Sequence, residues 1–222
     1  MIDYQRLYEY RFRDTHQGRR ERVWEAIAPV IWERLGQPGR LLDPAAGRCE
    51  FINAAPAAER WALDAVKYEE TTLREGTRLV ISDIMQAELP SSYFDGIFVS
   101  NFLEHLRSPD EVAAFLDKMR ACAKPGGRIA VMGPNFRCCA REYFDYADHR
   151  VILTERSAAE HLHAAGFEVD KVHPRFLPYS FAGSRIPTHP ALVRAYLRTP
   201  PAWRLLGKQF LVVATRPGTG QG

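Results

Sequence analysis

The sequence predicts an α/β protein built on a doubly wound, mostly parallel sheet. Three short apolar runs each end in an acid, namely Arg40–Asp43, Arg60–Asp64 and Arg78–Asp83. Parallel strands bring their carboxyl ends to one edge of a sheet, so these runs would build a single carboxylate-lined rim. A fourth run, Tyr93–Ser100, is largely apolar, which is typical of a strand that is buried on both faces.

The composition indicates one globular domain over residues 1–222. The chain has 222 residues, of which 46% are hydrophobic and 26% charged, and this suits one α/β domain with an appendage. The net charge of +3 does not favour nucleic acid as a partner, and no apolar run reaches membrane length. We therefore expect a cytoplasmic monomer or homodimer without stable membrane insertion. The four cysteines lack Cys-x-x-Cys spacing, so we predict no bound metal.

The order of the predicted elements divides the chain into a core and two additions. Residues 1–36 are expected to form an N-terminal helical cap, because apolar residues recur there at helical spacing. The core sheet is expected over 37–173 and 209–216, with a helix somewhere in 65–77 and a third strand at Leu79–Ser82. The long, proline-rich connection 174–208, between the sixth and seventh strands, is interpreted as a lid or an oligomer contact.

The first strand is followed by a turn of small residues that suits a nucleotide. Ala45 and Gly47 come soon after Asp43, and Glu50 opens the next segment. Small side chains let a ligand approach the backbone, and a helix N-terminus presents unpaired N–H groups to it. Asp64 lies about 20 residues beyond this turn, where nucleotide-binding α/β domains place an acid that accepts hydrogen bonds from ribose hydroxyls.

These motifs resemble those of the class I S-adenosylmethionine-dependent methyltransferases, and more closely the small-molecule methyltransferases of bacterial biosynthetic pathways. The resemblance covers roughly residues 38–173 and a final strand near 209–215. Where family members usually carry Gly-x-Gly-x-Gly, this chain has Ala45-Ala-Gly-Arg-Cys49, so only Gly47 is retained. A capped helix that starts at Ser108, and the Pro-Gly-Gly turn after it, are further matches.

The resemblance implies a seven-stranded, Rossmann-like methyltransferase fold with S-adenosylmethionine as cofactor and S-adenosylhomocysteine as product. An acid and an apolar neighbour after the third strand would bind the adenine, and Arg13 could pair with the cofactor carboxylate. Each of these two assignments has a structural alternative. Asp83 could cap a turn, and Arg13 could belong to a solvated basic face. The predicted cofactor-binding residues are Asp43, Ala45, Gly47, Asp64, Ala65, Asp83, Ile84, Asn101, Phe102 and Arg13.

Two histidines are the predicted catalytic residues, because imidazole titrates near neutrality and suits a general base. His105 follows the fourth strand, and His149 lies in a long aromatic connection in which Asp145 or Asp148 could orient it. The alternatives are structural, with His105 supporting the wall of the cofactor site and His149 positioning the next helix. The predicted acceptor contacts are Asn135, Tyr143, Tyr146 and Tyr10.

The expected function is methyl transfer to a small-molecule acceptor in natural-product biosynthesis, with an oxygen of a sugar or other scaffold favoured and nitrogen or carbon left open. Metal-assisted methylation is disfavoured because the fourth strand ends in Asn101 rather than in a carboxylate. A nicotinamide-dependent dehydrogenase fits less well, since Cys49 stands where a pyrophosphate needs glycine. A non-catalytic binding protein is the third class, and the altered turn supports it.

Overall fold

The computed structural model describes residues 6–7, 10–11, 13, 17–68, 72–179 and 189–218. These residues form seven strands, which are β1 Arg40–Asp43, β2 Glu59–Asp64, β3 Thr77–Ile81, β4 Phe94–Ser100, β5 Ala123–Pro134, β6 Glu168–His173 and β7 Gln209–Thr215. The helices are α1 Gln17–Arg34, α2 Glu50–Ala54, α3 Pro109–Cys122, α4 Phe136–Cys139, α5 Glu155–Ala164, α6 Pro190–Leu197 and α7 Pro200–Leu206.

The strands form one sheet in the order β3-β2-β1-β4-β5-β7-β6, and β7 runs antiparallel to both of its neighbours. The predicted doubly wound, mostly parallel fold is therefore confirmed. Parallel pairing places Asp43 beside Ala62 and Asp64 beside Ile81. The chain order reverses between β1 and β4, and the crevice outside the strand carboxyl ends at such a reversal is where α/β sheets bind ligands.

Helices cover both faces of the sheet. On one face α3 packs against α5, and Phe115 and Leu162 enter the core there. The other face carries α1, which packs against α2 and α6, and its core includes Ile27, Ile52 and Trp203. The N-terminal helix and the described part of the 174–208 connection thus belong to a layer on the sheet, whereas residues 180–188 lie outside the described ranges.

The two helices of the first face begin at the residues that the sequence indicates. The Ser108 side chain accepts a hydrogen bond from the backbone N–H of Glu111 at 3.2 Å, which satisfies one of the free donors of the first turn of α3. The Thr154 side chain accepts in the same way from Ser157 at 3.2 Å. Gly166, with φ of +80°, lies just beyond α5, as expected for a C-terminal glycine.

The segment before β3 differs from the sequence-based expectation. The described residues of 65–76 contain no helix, and β3 spans Thr77–Ile81 instead of starting at Leu79 and ending at Ser82. Side chains from β2 and α2 bind this backbone, since Arg60 donates to the Glu75 carbonyl at 2.5 Å and Asn53 accepts from the N–H of residue 74 at 2.9 Å. These bonds replace those that a helix would have made. Within the described ranges, no helix is long and apolar enough to cross a membrane.

Candidate active site

The turn after β1 keeps the backbone path of a glycine-rich loop. Gly47 has φ of +52°, and a Cβ atom added there would meet nothing within 4 Å, so its backbone faces open space. Cys49 has φ of 63° and ψ of 18°, the left-handed conformation that glycine adopts most easily. The Cys49 side chain is only 1% exposed and packs in the core, where burial raises the pKa of its thiol to about 12. The loss of glycine at this position therefore leaves the turn geometry intact.

Two acids face this turn, as predicted. Asp64 accepts from the backbone N–H of Gly47 at 2.8 Å and from that of Val66 at 2.9 Å, one bond on each oxygen, and burial raises its pKa. Because each carboxylate oxygen has two lone pairs, both retain an acceptor position. Asp43 is 3% exposed, and its Oδ1 has no hydrogen-bond partner among the described residues. Burial, and then the charges of Asp64 and Glu50, raise the pKa of Asp43 well above its usual range.

The predicted adenine pair lies on the same rim. Asp83 is exposed and its Oδ1 accepts from the backbone N–H of Met85 at 2.7 Å, so the turn-capping role left open by the sequence is present. Its other oxygen stays at the surface, beside the buried Ile84 and beyond the exposed Ala65 at the end of β2. Asp83 and Ile84 therefore present one polar and one apolar group where the edge and the ring of the adenine are expected.

The end of β4 carries a second non-glycine residue in the left-handed region. Asn101 has φ of +49°, its backbone N–H donates to the Met132 carbonyl at 2.8 Å, and its side chain is exposed. The neighbouring Phe102 packs its ring 5.0 Å from that of Phe115. Such backbone conformations cluster at binding sites, where the surrounding structure holds them. Both residues thus lie at the rim, between the cofactor turn and β5.

Tyr10 and Arg13, the two N-terminal residues predicted at the site, lie at the surface. The Arg13 guanidinium stands 4.0 Å from the ring centroid of Tyr10, which is 67% exposed. A different arginine, Arg11, enters the rim, where it pairs with Asp148. The structure thus brings Arg11 into contact with the predicted catalytic region.

A buried polar cluster occupies the rim at the ends of β4 and β5. The 3-10 helical turn Leu103–His105 supplies Glu104 and His105, and the connection after β5 supplies Asp148 and His149. That connection is tied to the turn by its backbone, because the N–H of Arg150 donates to the Glu104 carbonyl at 2.8 Å. Residues more than 40 positions apart in sequence are thereby brought together.

The charges of this cluster are strongly coupled. Asp148 is fully buried, with one oxygen paired to Arg11 and the other 3.1 Å from His105 Nδ1. Burial acts to raise the pKa of Asp148, but hydrogen bonds from His105 and Arg11 outweigh it and hold this pKa well below its usual range. Burial acts to lower the pKa of His105, but Asp148 and Glu104 raise it. Burial and then the neighbouring His105 lower the pKa of His149 to about 4, and burial raises the pKa of Glu104.

Aromatic rings surround His149. The Tyr146 ring is stacked on it at 5.1 Å between centroids, and the Arg11 guanidinium lies 4.7 Å from the centre of the Tyr146 ring. Tyr179 meets the edge of Tyr146 at 5.7 Å, and its buried hydroxyl has no partner within the described part of the chain. Tyr146 thus lies beside the predicted catalytic His149, and Tyr179 extends the same aromatic wall.

Two other predicted acceptor contacts have structural roles. Tyr143 is fully buried, and its hydroxyl donates to the Val151 carbonyl at 2.6 Å and accepts from the N–H of residue 153 at 3.2 Å. Asn135 is 1% exposed, and its amide donates to Glu155 at 2.6 Å and to the Pro174 carbonyl at 2.8 Å. Both amide hydrogens of Asn135 are therefore used within the fold, so the structure does not support its prediction as a donor to an acceptor hydroxyl.

Sequence reasoning missed three members of the site. Glu104 stands beside His105, and a glutamate next to a histidine at a strand end was a usable signal. Arg11 was one arginine among several in the N-terminal segment, and Tyr179 lay in the connection 174–208. Nothing in the sequence distinguished either of these two from its neighbours.

Comparison with known proteins identifies the family to which this chain belongs. A family model described as a methyltransferase domain matches residues 16–172. The ubiquinone/menaquinone biosynthesis C-methyltransferase UbiE of Burkholderia mallei is 29% identical over 126 residues, which are 50% of this chain and 49% of that protein. The chain thus spans about half the length of the curated relatives that it matches.

Solved structures agree on the fold. A SAM-dependent methyltransferase from Archaeoglobus fulgidus superposes with a TM-score of 0.65 at 20% identity, over 96% of this chain and all of that one. The 1,6-didemethyltoxoflavin-N1-methyltransferase of Burkholderia thailandensis gives 0.58 at 20% identity, over 97% of this chain and 89% of that one. The geranyl diphosphate C-methyltransferase of Streptomyces coelicolor gives 0.61 at 14% identity, over 86% and 77%.

This chain belongs to the methyltransferase domain family, and its fold is that of the class I S-adenosylmethionine-dependent enzymes. The methyl donor of such a domain is S-adenosylmethionine, and the rim fits it. The backbone at Gly47 is open, Asp64 retains acceptor positions at the distance along the chain expected for a ribose, and the unpartnered Oδ1 of Asp43 suits a buried ammonium donor.

Proposed function

We propose that this protein transfers the methyl group of S-adenosylmethionine to an oxygen of a small-molecule acceptor, such as a sugar or other natural-product scaffold. The observation that carries this proposal is the cluster of the buried Glu104 and Asp148 with the half-buried His105 and His149, beside the cofactor rim. An acceptor hydroxyl must lose a proton as it is methylated, and this cluster gathers proton-accepting groups at the place where acceptor and donor would meet.

The cofactor would lie across the carboxyl ends of β3, β2, β1 and β4. Asp64 would accept from the ribose, Asp83 and Ile84 would hold the adenine, and Gly47 would give backbone access. Bound there, S-adenosylmethionine supplies a methyl group on a sulfonium, so the C–S bond breaks with its electron pair going to sulfur as the O–CH3 bond forms. Since that methyl is already activated, the protein mainly aligns the reactants and excludes water.

The acceptor would lie against Tyr146 and Tyr179, because these rings flank His149 and the Tyr179 hydroxyl is open to a polar partner. His105 Nδ1 lies 3.1 Å from a carboxylate oxygen of Asp148, which positions the ring. The other ring nitrogen, Nε2, lies 3.9 Å from Glu104 Oε1. His105 and His149 remain the predicted catalytic residues, acting on the acceptor proton. Asn101 and Phe102 would line the passage between donor and acceptor.

The cofactor assignment is tested by calorimetric titration of S-adenosylmethionine and S-adenosylhomocysteine into the parent protein, Asp64→Ala and Asp117→Ala. A hydrogen bond to a charged group contributes about 1.5–3 kcal/mol, so Asp64→Ala should weaken binding by about 10- to 100-fold. Asp117, an exposed acid of α3, serves as the control and should leave affinity unchanged. Equal affinities in all three proteins would show that the rim is not the cofactor site.

The acceptor assignment is tested by product analysis with sugars and phenolic or alcoholic natural-product scaffolds. Replacing both histidines, as His105→Gln with His149→Gln, should abolish turnover while S-adenosylmethionine still binds. Unchanged turnover in the double variant would contradict the proposal. Mass spectrometry and NMR of the product locate the methyl group, so a nitrogen or carbon acceptor would be recognised directly, and binding of the cofactor without any turnover would favour a non-catalytic protein.

The remaining expectations stay predictions. We expect a cytoplasmic monomer or homodimer that binds no nucleic acid, and an N-terminal cap over residues 1–36. The connection 174–208 stays interpreted as a lid or an oligomer contact; in its described part α6 packs against α1 and α7 packs against α6, and residues 180–188 lie outside the described ranges.

A further inference from the structure

We propose that Glu104, His105 and His149 form a binding site for a divalent transition-metal ion, with zinc as the best fit. The ligand atoms that these three residues offer all lie within 4.8 Å of one another. This inference deepens the proposed function, on which its catalytic role rests, because it assigns the two histidines as metal ligands beside the acceptor. Two imidazoles and one carboxylate are a ligand set used by catalytic zinc sites with an open fourth position.

The free ligand atoms are the main argument. Glu104 is 1% exposed, and its Oε2 has no hydrogen-bond partner among the residues that the structure describes. The Nδ1 atom of His149 is likewise buried and unpartnered in the described structure. Buried polar atoms are nearly always satisfied, and two unpartnered atoms on residues whose ligand atoms lie within 4.8 Å of one another are explained by a shared ligand. A cation suits both, because each offers a lone pair.

The third ligand is oriented by its neighbour. His105 Nδ1 lies 3.1 Å from an oxygen of the fully buried Asp148, which leaves Nε2, 3.9 Å from Glu104 Oε1, for the ion. Metal-bound histidines usually donate their second ring N–H to a carboxylate, a backbone carbonyl or water, and His105 Nδ1 also lies 3.4 Å from the backbone carbonyl oxygen of Asp148. The other oxygen of Asp148 pairs with Arg11, so the orienting carboxylate is itself held in place.

Gly133, near the end of β5, packs close to the carboxylate of Glu104. A Cβ atom added there would stand 3.4 Å from Glu104 Oε2 and 3.2 Å from the Phe210 ring, so even the smallest side chain would crowd the carboxylate. A tetrahedral zinc with bonds of about 2.1 Å keeps its ligand atoms about 3.4 Å apart. The three side chains would therefore close by about 1 Å around the ion.

The net charge of the proposed site indicates what a bound metal ion would do. One carboxylate and a divalent ion leave a charge of +1, and the Asp148–Arg11 pair adds none. An acceptor oxygen in the open position would bring that charge to zero once its proton had passed to solvent, since both histidines would be bound to the ion. A metal ion would thus stabilise the deprotonated acceptor oxygen as a Lewis acid. The cysteine spacing had argued against zinc, but the ligands come from two segments whose proximity is decided by the fold.

The test is a calorimetric titration of Zn2+ into the chelator-treated, tag-free protein, with Co2+ absorption as a second readout of coordination. The parent should bind one equivalent with a dissociation constant of about 1 μM or tighter. His149→Gln should abolish this site, and Asp148→Asn should weaken it by about 10- to 100-fold, as for other orienting carboxylates. His163→Gln, at an exposed position of α5, is the matched control and should bind as the parent does.

Parent binding weaker than about 100 μM, or equal binding in the parent and His149→Gln, would overturn the metal site. His149 lies in a half-buried connection, and its variant should remain folded; Glu104→Gln provides a second ligand variant if circular dichroism shows otherwise. Titration of S-adenosylmethionine into the chelated protein separates the two proposals. Zinc binding without cofactor binding refutes the proposed function alone, whereas cofactor binding without zinc binding refutes the metal site alone.

Discussion

Replacement of Cys49 by glycine tests whether the altered turn after β1 is open to the cofactor. The backbone of Cys49 is left-handed, which costs a non-glycine residue about 1–2 kcal/mol, and glycine would relieve this. The same change removes a side chain that is 1% exposed, at a cost of about 1–1.5 kcal/mol, and loosens the unfolded chain by about 0.4–1 kcal/mol. These contributions together allow at most a gain of about 0.6 kcal/mol or a loss of about 1.5 kcal/mol in the free energy of unfolding.

The affinity for S-adenosylmethionine gives the functional result. Because the Cys49 side chain packs in the core and the backbone already follows the glycine path, Cys49→Gly should bind the cofactor within about threefold of the parent. Cys49→Val is the matched control. A β-branched residue is strained in the left-handed region and overfills the site, so the free energy of unfolding should fall by about 2–3 kcal/mol.

Guanidinium unfolding and calorimetric titration of the same three proteins provide both measurements. A tenfold or larger gain in cofactor affinity in Cys49→Gly would refute the reasoning, since it would mean that the cysteine side chain obstructs the site. A gain of more than about 2 kcal/mol in stability would show that backbone strain, rather than core packing, dominates at this position.

Three further predictions concern the scaffold. Ser108→Ala removes the acceptor for the Glu111 N–H and should lower the free energy of unfolding by about 1 kcal/mol without changing cofactor affinity, as measured by denaturant titration. Gly96→Ala places a Cβ atom 2.7 Å from Pro38 Cγ and should cost about 1–3 kcal/mol; a thermal midpoint equal to that of the parent would contradict this. His173 accepts from Arg34 at 2.9 Å, and burial and then the Arg34 charge lower its pKa to about 4. The unfolded chain therefore binds more protons between pH 4 and 6.5, so this stabilisation is complete above about pH 6.5 and is lost as the pH falls toward 4. After allowance for solvent screening, His173→Gln should reduce the loss of stability between pH 7 and pH 5 by about 1 kcal/mol, and identical pH profiles would exclude this role.

Local features of the sequence determined most of the fold. Strands β1, β2 and β4 end in the polar residues Asp43, Asp64 and Ser100, and helices α3 and α5 begin at side chains able to cap them. Those signals act over a few residues and do not depend on the rest of the chain. The exception was the stretch 65–76, where no local signal showed that Arg60 would bind the backbone and hold it away from a helix.

The cofactor rim was predictable for the same reason. Asp43, Asp64 and Asp83 each follow a strand, and parallel pairing necessarily brings strand ends to one edge. The sequence could not show that Cys49 would adopt the left-handed conformation, because composition alone does not decide whether a residue tolerates that backbone. Core packing around its side chain holds it there.

The polar cluster was decided by tertiary structure. His105 and His149 were found as separate candidates, but nothing local placed Glu104, Asp148 and Arg11 around them. Residues after two neighbouring strands approach one another only when the connection after β5 folds back and its backbone binds the Glu104 carbonyl. The sequence alone therefore determined the sheet and the cofactor rim, whereas long-range packing decided which side chains meet at the acceptor side, because such contacts depend on the path of the whole chain.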